Sequence, residues 1–163
     1  YSANIESKIL IALFFVHPYE EVAYALYPLN HPHKQVGAGM IDEVEHPVDE
    51  KSFLQHIKWK MNASVIRHTA YTGKMVKKVA VCGGAGGFLL KQAIAAGADI
   101  FVTADYKYHE FFDAEGKLVI ADIGHFESEQ FTQHLLCEII QKKFTNFAVR
   151  LTEINTNPVK YYI

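Results

Sequence analysis

Val79-Ala80-Val81-Cys82-Gly83-Gly84-Ala85-Gly86-Gly87-Phe88-Leu89-Leu90-Lys91-Gln92-Ala93-Ile94-Ala95-Ala96-Gly97 is the stretch that decides the fold. A short apolar, β-rich run enters a glycine-rich turn, an apolar helix-forming segment over Phe88–Ala96 follows, and Gly97 stands where a helix end favours glycine. Downstream, Ile100–Thr103 and Leu118–Ala121 are again apolar and β-rich. Phe126–Phe144 reads as one long helix, with Phe131, Leu135 and Ile139 along it and Lys142 and Lys143 near its end, where cations suit the helix dipole. Phe147–Ile154 alternates like a strand. The order strand–helix–strand–strand–helix–strand predicts an α/β fold with a partly parallel sheet.

Upstream of Val79 the pattern changes character, with a break near Thr72-Gly73-Lys74. Glu6–Val16 reads as helix and Val22–Leu29 as extended. Val36–Val44 is extended too, and Asp49–Met61 is an amphipathic helix with Phe53, Leu54, Ile57 and Met61 on one stripe. Ala63–Tyr71 alternates like a half-buried strand. Helix–strand–strand–helix–strand is a ferredoxin-like βαββαβ unit without its first strand. Together with a chain that begins at Tyr1 and not Met, this order leads us to expect further sequence before residue 1.

Composition narrows the function classes. The chain has 163 residues, half of them apolar, and 16 Lys and Arg against 18 Asp and Glu give a net charge of −2. No basic field calls for nucleic acid. The longest apolar run, Ile9–Val16, falls far short of the about 18 residues that span a bilayer, so no membrane segment is expected. Cys82 and Cys137 form no paired framework and read as reduced thiols of a cytoplasmic protein, a disulfide between them being the alternative.

Three segments carry candidate chemistry. Gly83–Gly87, between a strand and a helix, is placed for a nest of backbone N–H groups that cradles an anion, or for a tight turn and close helix packing. It lacks the Gly-Lys-Ser/Thr of a phosphate loop, and Leu89 breaks the dinucleotide-binding spacing. Thr103-Ala104-Asp105-Tyr106-Lys107-Tyr108-His109-Glu110 puts Asp105, Lys107, His109 and Glu110 just past a strand's carboxyl end, the edge where open α/β sheets bind ligands. A solvated loop is the alternative there. In Gly124-His125-Phe126-Glu127-Ser128-Glu129, His125 and Glu129 stand at i and i+4, on one helix face. An imidazole and a carboxylate so spaced can grip a divalent ion such as zinc, iron or manganese, or simply bond each other. His17-Pro18-Tyr19-Glu20-Glu21 reads as a turn in which Pro18 ends a helix. Histidines 31, 33, 46, 56, 68 and 134 are scattered singly.

With these residues assembled, the chain resembles a known family. Val79–Gly86, Thr103–His109 and Gly124-His125-Phe126-Glu127-Ser128-Glu129 are similar to the carboxyl-terminal half of the NIF-three-like proteins, the GTP cyclohydrolase 1 type 2 homologues. His17-Pro18-Tyr19-Glu20-Glu21-Val22-Ala23-Tyr24 with Tyr27-Pro28-Leu29 resembles the signature of the PII-like (CutA-like) domain inserted in many bacterial members. The resemblance implies an insert-like module over residues 1–73, lacking its first strand, and the carboxyl-terminal half of the metal-binding domain over residues 74–163. It implies a centre of two divalent metals (Zn, Fe or Mn) per full-length chain, with His125 and Glu129 as ligands. The remaining ligands, a His-His pair and an Asp, belong to an amino-terminal half not present in this sequence, so the centre is not expected to fill in this chain alone. Asp105 and His109 become candidate catalytic residues, and Gly83, Gly84, Gly86 and Lys107 candidate substrate or phosphate contacts. Two departures stand out: Thr103-Ala104-Asp105 where Thr-Gly-Asp is usual, and Phe126 where Tyr is frequent. The implied function is a metal-dependent hydrolase acting on a small molecule or nucleotide, in a homohexameric ring. The alternative is a ring-forming metal-binding or regulatory scaffold.

Overall fold

A computed structural model gives the structure and describes Tyr1, residues 3–28 and residues 36–162. The chain divides into two compact units, Tyr1–Lys34 and Gln35–Ile163. In the first, a 3-10 turn at Ala3–Ile5 leads into helix α1, Glu6–Val16. The His17 N–H bonds the Leu13 carbonyl at 3.0 Å, and Pro18, which cannot continue the ladder, ends the helix. The Tyr19 N–H then donates to His17 Nδ1 at 3.2 Å, so His17-Pro18-Tyr19 forms the turn its sequence suggests. Residues 22–28 form no regular strand, and Leu29, His31 and His33 lie outside the described residues.

The second unit is a mixed α/β domain around one five-stranded sheet. Its elements are β1 (Met40–Asp49), α2 (Glu50–Lys60), β2 (Arg67–His68), β3 (Met75–Ala85), α3 (Leu90–Ala95), β4 (Ile100–Ala104), β5 (Val119–Asp122), α4 (His125–Glu129) and α5 (Thr132–Lys143). The strand order is β1-β3-β4-β5-β2. β3, β4 and β5 run parallel, while β1 and β2 flank them antiparallel. The expected partly parallel sheet is therefore present.

Alternation along the central strands explains both faces. Ile100, Val102, Val119 and Ala121 point one way and pack with Phe53 and Leu54 of α2. Phe101 and Ile120 point the other way and pack with Leu90 and Ala93 of α3 and with Tyr106 and Leu118. Strands buried on both faces read as continuous apolar runs, as these do. Helix α2 starts at Asp49, whose carboxylate accepts the Ser52 N–H at 2.9 Å, an N-cap bond that satisfies a donor the helix cannot.

Several expected boundaries move. The residues around Thr72-Gly73-Lys74 are a turn inside the sheet unit, and the division between compact units falls at Lys34. The reason is the buried Glu50 carboxylate, which accepts the Thr72 N–H at 2.9 Å, the Thr72 hydroxyl at 2.6 Å and the Gly73 N–H at 3.1 Å, tying the turn to α2. Ala63–Tyr71 pairs only through Arg67 and His68. The long helix over Phe126–Phe144 is two helices, interrupted where the Gln130 amide donates to the Met61 carbonyl at 2.7 Å. Phe147–Ile154 alternates but finds no strand partner among the described residues, and alternation without a hydrogen-bonding neighbour does not make a strand. Cys82 and Cys137 are both unbridged. Among the described residues, no helix is long and apolar enough to cross a membrane.

Phe101, only 1% exposed, fills the centre of the α3 face. Phe101→Ala is expected to cost about 3–5 kcal/mol in urea denaturation; a loss below about 1 kcal/mol would mean the core is not organised around it.

Candidate functional site

Because β3, β4 and β5 are parallel, their carboxyl ends share one edge of the sheet, and the loops that leave it converge there. Gly84 comes from the end of β3, Asp105 follows β4, and Gly124-His125 follows β5.

The approach of β3 is irregular. Its pairing with β4 slips between Val81 and Ala85, and the buried Thr103 hydroxyl fixes the bulge by accepting the Gly86 N–H at 3.0 Å and donating to the Gly84 carbonyl at 3.2 Å. Gly84 has a φ of 61°, which favours glycine. A Cβ there would also lie 2.6 Å from Glu129 Oε1 and 3.2 Å from His125 Cε1. At Gly86 a Cβ would meet Cys82 Cβ at 2.6 Å, so only glycine lets the chain pass. The Gly84 N–H donates to the Ser128 hydroxyl at 2.8 Å, and that hydroxyl donates to the His125 carbonyl at 2.8 Å, seating the first turn of α4 on the bulge. The amides of Gly84 and Gly86 thus already have protein partners. Gly83–Gly87 here provides close packing under His125 and Glu129, the tight-turn reading of the motif.

His125 stands between two carboxylates. Its Nδ1 donates to Asp105 Oδ2 at 2.6 Å, and its Nε2 lies 3.3 Å from Glu129 Oε2. All three side chains are about half exposed. Asp105 occupies left-handed backbone, φ 59°, a conformation aspartate tolerates better than most residues and one that aims its carboxylate across the edge. The hydrogen bond from Nδ1 to Asp105 raises the His125 pKa above its ordinary 6.5; burial opposes the rise, and the Asp105 and Glu129 charges add to it.

Behind these residues lies Asp122, 3% exposed at the end of β5. Its Oδ2 accepts the Tyr106 N–H at 3.0 Å and an Arg67 Nη2 hydrogen, and its Oδ1 accepts the Gly124 N–H at 3.1 Å. One buried carboxylate therefore holds the residue after Asp105 and the residue before His125. Arg67 Nη2 also donates to the Tyr106 carbonyl at 2.9 Å. Burial pushes the Tyr106 hydroxyl up to about 12, with the Glu110 and Asp113 charges adding, so Tyr106 stays protonated at neutral pH.

The sequence candidates separate accordingly. His125, Glu129 and Asp105 come together and line a cavity of about 1010 Å³ with Arg67, Asp122 and Glu127. His109 sits in the exposed 3-10 turn Tyr108–Ala114, its ring 5.2 Å from that of Tyr108, and is not among the described residues lining this cavity. Lys107 lines a separate, smaller hollow with Gly87, Phe88 and Glu110. Among the described residues, no group of three or more His, Cys, Asp or Glu could hold a metal ion. Sequence reading missed Asp122, Arg67, Thr103 and Ser128 as organisers of the site. Only Ser128 carried a local signal, three residues after His125 and so near it on the helix.

A family model described as Duf34/NIF3 (NGG1p interacting factor 3) matches residues 5–158. The chain belongs to this family. A GTP cyclohydrolase 1 type 2 homolog of Bacillus subtilis is 32% identical over 163 residues, covering 97% of this chain and 43% of that protein. A GTP cyclohydrolase 1 type 2 homolog of Staphylococcus epidermidis is 36% identical over 151 residues, covering 89% of this chain and 40% of its own length. The solved structure of a Bacillus cereus protein related to NIF3 aligns with a TM-score of 0.71 at 32% identity, over 99% of this chain and 46% of that one. The chain thus spans less than half the length of these relatives.

Since folded His125 holds its proton more tightly than the unfolded chain, its bond to Asp105 contributes stability fully below about pH 6.5, lost as pH rises through the folded value. In metal-free protein, Asp105→Asn is expected to move the His125 titration midpoint downward in NMR. An unchanged midpoint would remove Asp105 as the cause.

Proposed function

We propose that His125 and Glu129 supply two ligands to a divalent metal centre in a metal-dependent hydrolase of the Duf34/NIF3 family. The observation that carries this reading is the 3.3 Å separation of His125 Nε2 and Glu129 Oε2, with Nδ1 already committed to Asp105. Two donors each about 2.05 Å from a tetrahedral ion lie about 3.3 Å apart, so the pair has the spacing of two ligands on one metal. A carboxylate on the far imidazole nitrogen is the usual device for turning the other nitrogen's lone pair outward. The donor set, one imidazole and one carboxylate, suits zinc, iron or manganese.

Two side chains do not complete a site, and we place the remaining ligands outside this sequence, in the portion of the relatives that it does not span. A metal pair bound there would lower the pKa of a bound water and polarise a phosphoryl or amide-like oxygen. This chain's own work is positional. Asp105 keeps the proton on Nδ1, Glu129 offers an anionic oxygen, and Ser128 and Gly84 keep the first turn of α4 against β3. The substrate class of small molecules or nucleotides follows from the names of the relatives, two of which are GTP cyclohydrolase 1 type 2 homologs. By the same likeness we assign residues 1–73, with His17-Pro18-Tyr19-Glu20-Glu21, to a PII-like insert module, and the whole protein to the cytoplasm.

A second reading, a non-enzymatic homohexameric scaffold, draws on α5, where Leu135, Leu136 and Ile139 are each at least half exposed. A hydrolysis screen of nucleotides and phosphoesters, with and without added metal, separates the two.

Elemental analysis of the full-length protein is expected to find about two metals per chain, with His125→Ala or Glu129→Ala each lowering the content. Metal uptake should also weaken as pH falls through the raised His125 value, because a proton then competes for Nε2. Unchanged metal content in both variants would reject the assignment.

A further inference from the structure

We infer that Arg67 anchors an oxyanion of the substrate in the cavity that holds His125 and Glu129. The cavity wall is acidic: Asp105, Asp122, Glu127, Glu129 and Glu153 line it, and among the described lining residues Arg67 is the sole Lys or Arg. An anion entering such a space finds one permanent positive side chain. Arg67 lies on the edge strand β2, directly across from Asp122 in the antiparallel register. Only its Nη2 is engaged, by Asp122 and by the Tyr106 carbonyl. The hydrogens on Nε and Nη1 have no partner among the described residues, and the side chain is 56% exposed. The Phe111 ring, 5.6 Å from Cζ, backs the guanidinium.

This arrangement differs from a purely structural ion pair in two respects. Asp122 already accepts two backbone N–H groups, so the guanidinium is not its sole partner. And Arg67 is pinned at one nitrogen and along one ring face while its other donors stay open, which leaves little side-chain entropy to lose when an anion binds. A guanidinium recognises phosphate and carboxylate alike through charge-assisted hydrogen bonds. An anchor at Arg67, in the same cavity as His125 and Glu129, selects substrates that carry such a group beside the bond to be cleaved. The anchoring itself stands on Arg67; its catalytic consequence rests on the metal-centre reading above.

The test uses full-length protein, both as purified and after chelation, titrated calorimetrically with inorganic phosphate, pyrophosphate and acetate, with metal content measured on every sample. Phosphate or pyrophosphate is expected to bind the wild type. Arg67→Ala should weaken that binding by about tenfold or more, the effect of one charge-assisted hydrogen bond. Arg67→Lys keeps a cation for Asp122, and so the fold, but loses the planar donors and should weaken binding severalfold. Metal content should not change in Arg67→Lys, which keeps the cation beside Asp122. Arg67-dependent binding of acetate alone would uphold the anchor and assign a carboxylate. Equal phosphate affinity in wild type, Arg67→Lys and Arg67→Ala, or no binding of any of the three anions to wild type, would overturn the inference. Loss of the metal centre with Arg67-dependent anion binding intact would instead sink the metal reading and leave the anchor standing.

Discussion

The buried Asp122 carboxylate is the constraint from which the candidate site follows. Taking a carboxylate out of water is costly unless every lone pair finds a donor. At the end of β5 the donors are the Tyr106 and Gly124 N–H groups and the Arg67 guanidinium. Each donor belongs to a different segment, so satisfying one buried charge fixes the exits of β4 and β5 and the short edge strand β2 together. Asp105 and His125 flank two of those donors. Their 2.6 Å hydrogen bond exists because the loops that carry them are tied to the same side chain.

Around that point the domain repeats a single device: a buried polar side chain holding backbone where regular pairing stops. Thr103 holds the β3 bulge and Glu50 holds the turn at Thr72-Gly73, while the half-buried Asp99 accepts the Lys77 and Lys78 N–H groups at 2.9 and 2.7 Å near the start of β3. Backbone groups left unpaired by a bulge or a loop must be satisfied from somewhere, and a short polar side chain from a neighbouring element does so without widening the core. These bonds link elements far apart in sequence, so the site edge is braced by the whole sheet and not by its own loops.

Much of the fold was legible. Apolar runs bounded by polar or glycine residues located β3, β4 and β5, and the stripe through Phe53, Leu54 and Ile57 located α2, because burial on one or both faces leaves a periodic trace. What failed to be legible was pairing. Phe147–Ile154 alternates as well as many strands, yet it finds no strand partner among the described residues. The residues of Ala63–Tyr71 shrink to a two-residue strand for the same reason, with only Arg67 and His68 meeting β5. Periodicity reports which side of a segment is buried; it does not report what lies alongside. The change of pattern at Thr72-Gly73-Lys74 falls on a turn inside the second compact unit, because a turn within a compact unit and a junction between modules use the same residues.

At the site, the i,i+4 spacing of His125 and Glu129 was enough to bring them together, since helix geometry alone puts them on one face. Asp105 reached His125 only because β4 and β5 are parallel neighbours, and His109, four residues further on, was carried away by the 3-10 turn Tyr108–Ala114. Arg67 and Asp122, 55 positions apart, carried no mutual signal in the sequence. The sequence by itself determined the layered α/β character of the domain and the His125–Glu129 pair, because both depend on short-range periodicity. Tertiary structure alone decided that Asp105 orients His125, that Gly83–Gly87 packs beneath the pair, and that Arg67 lies in the same cavity. Those relations depend on strand order, and strand order is set by long-range pairing that no local pattern encodes.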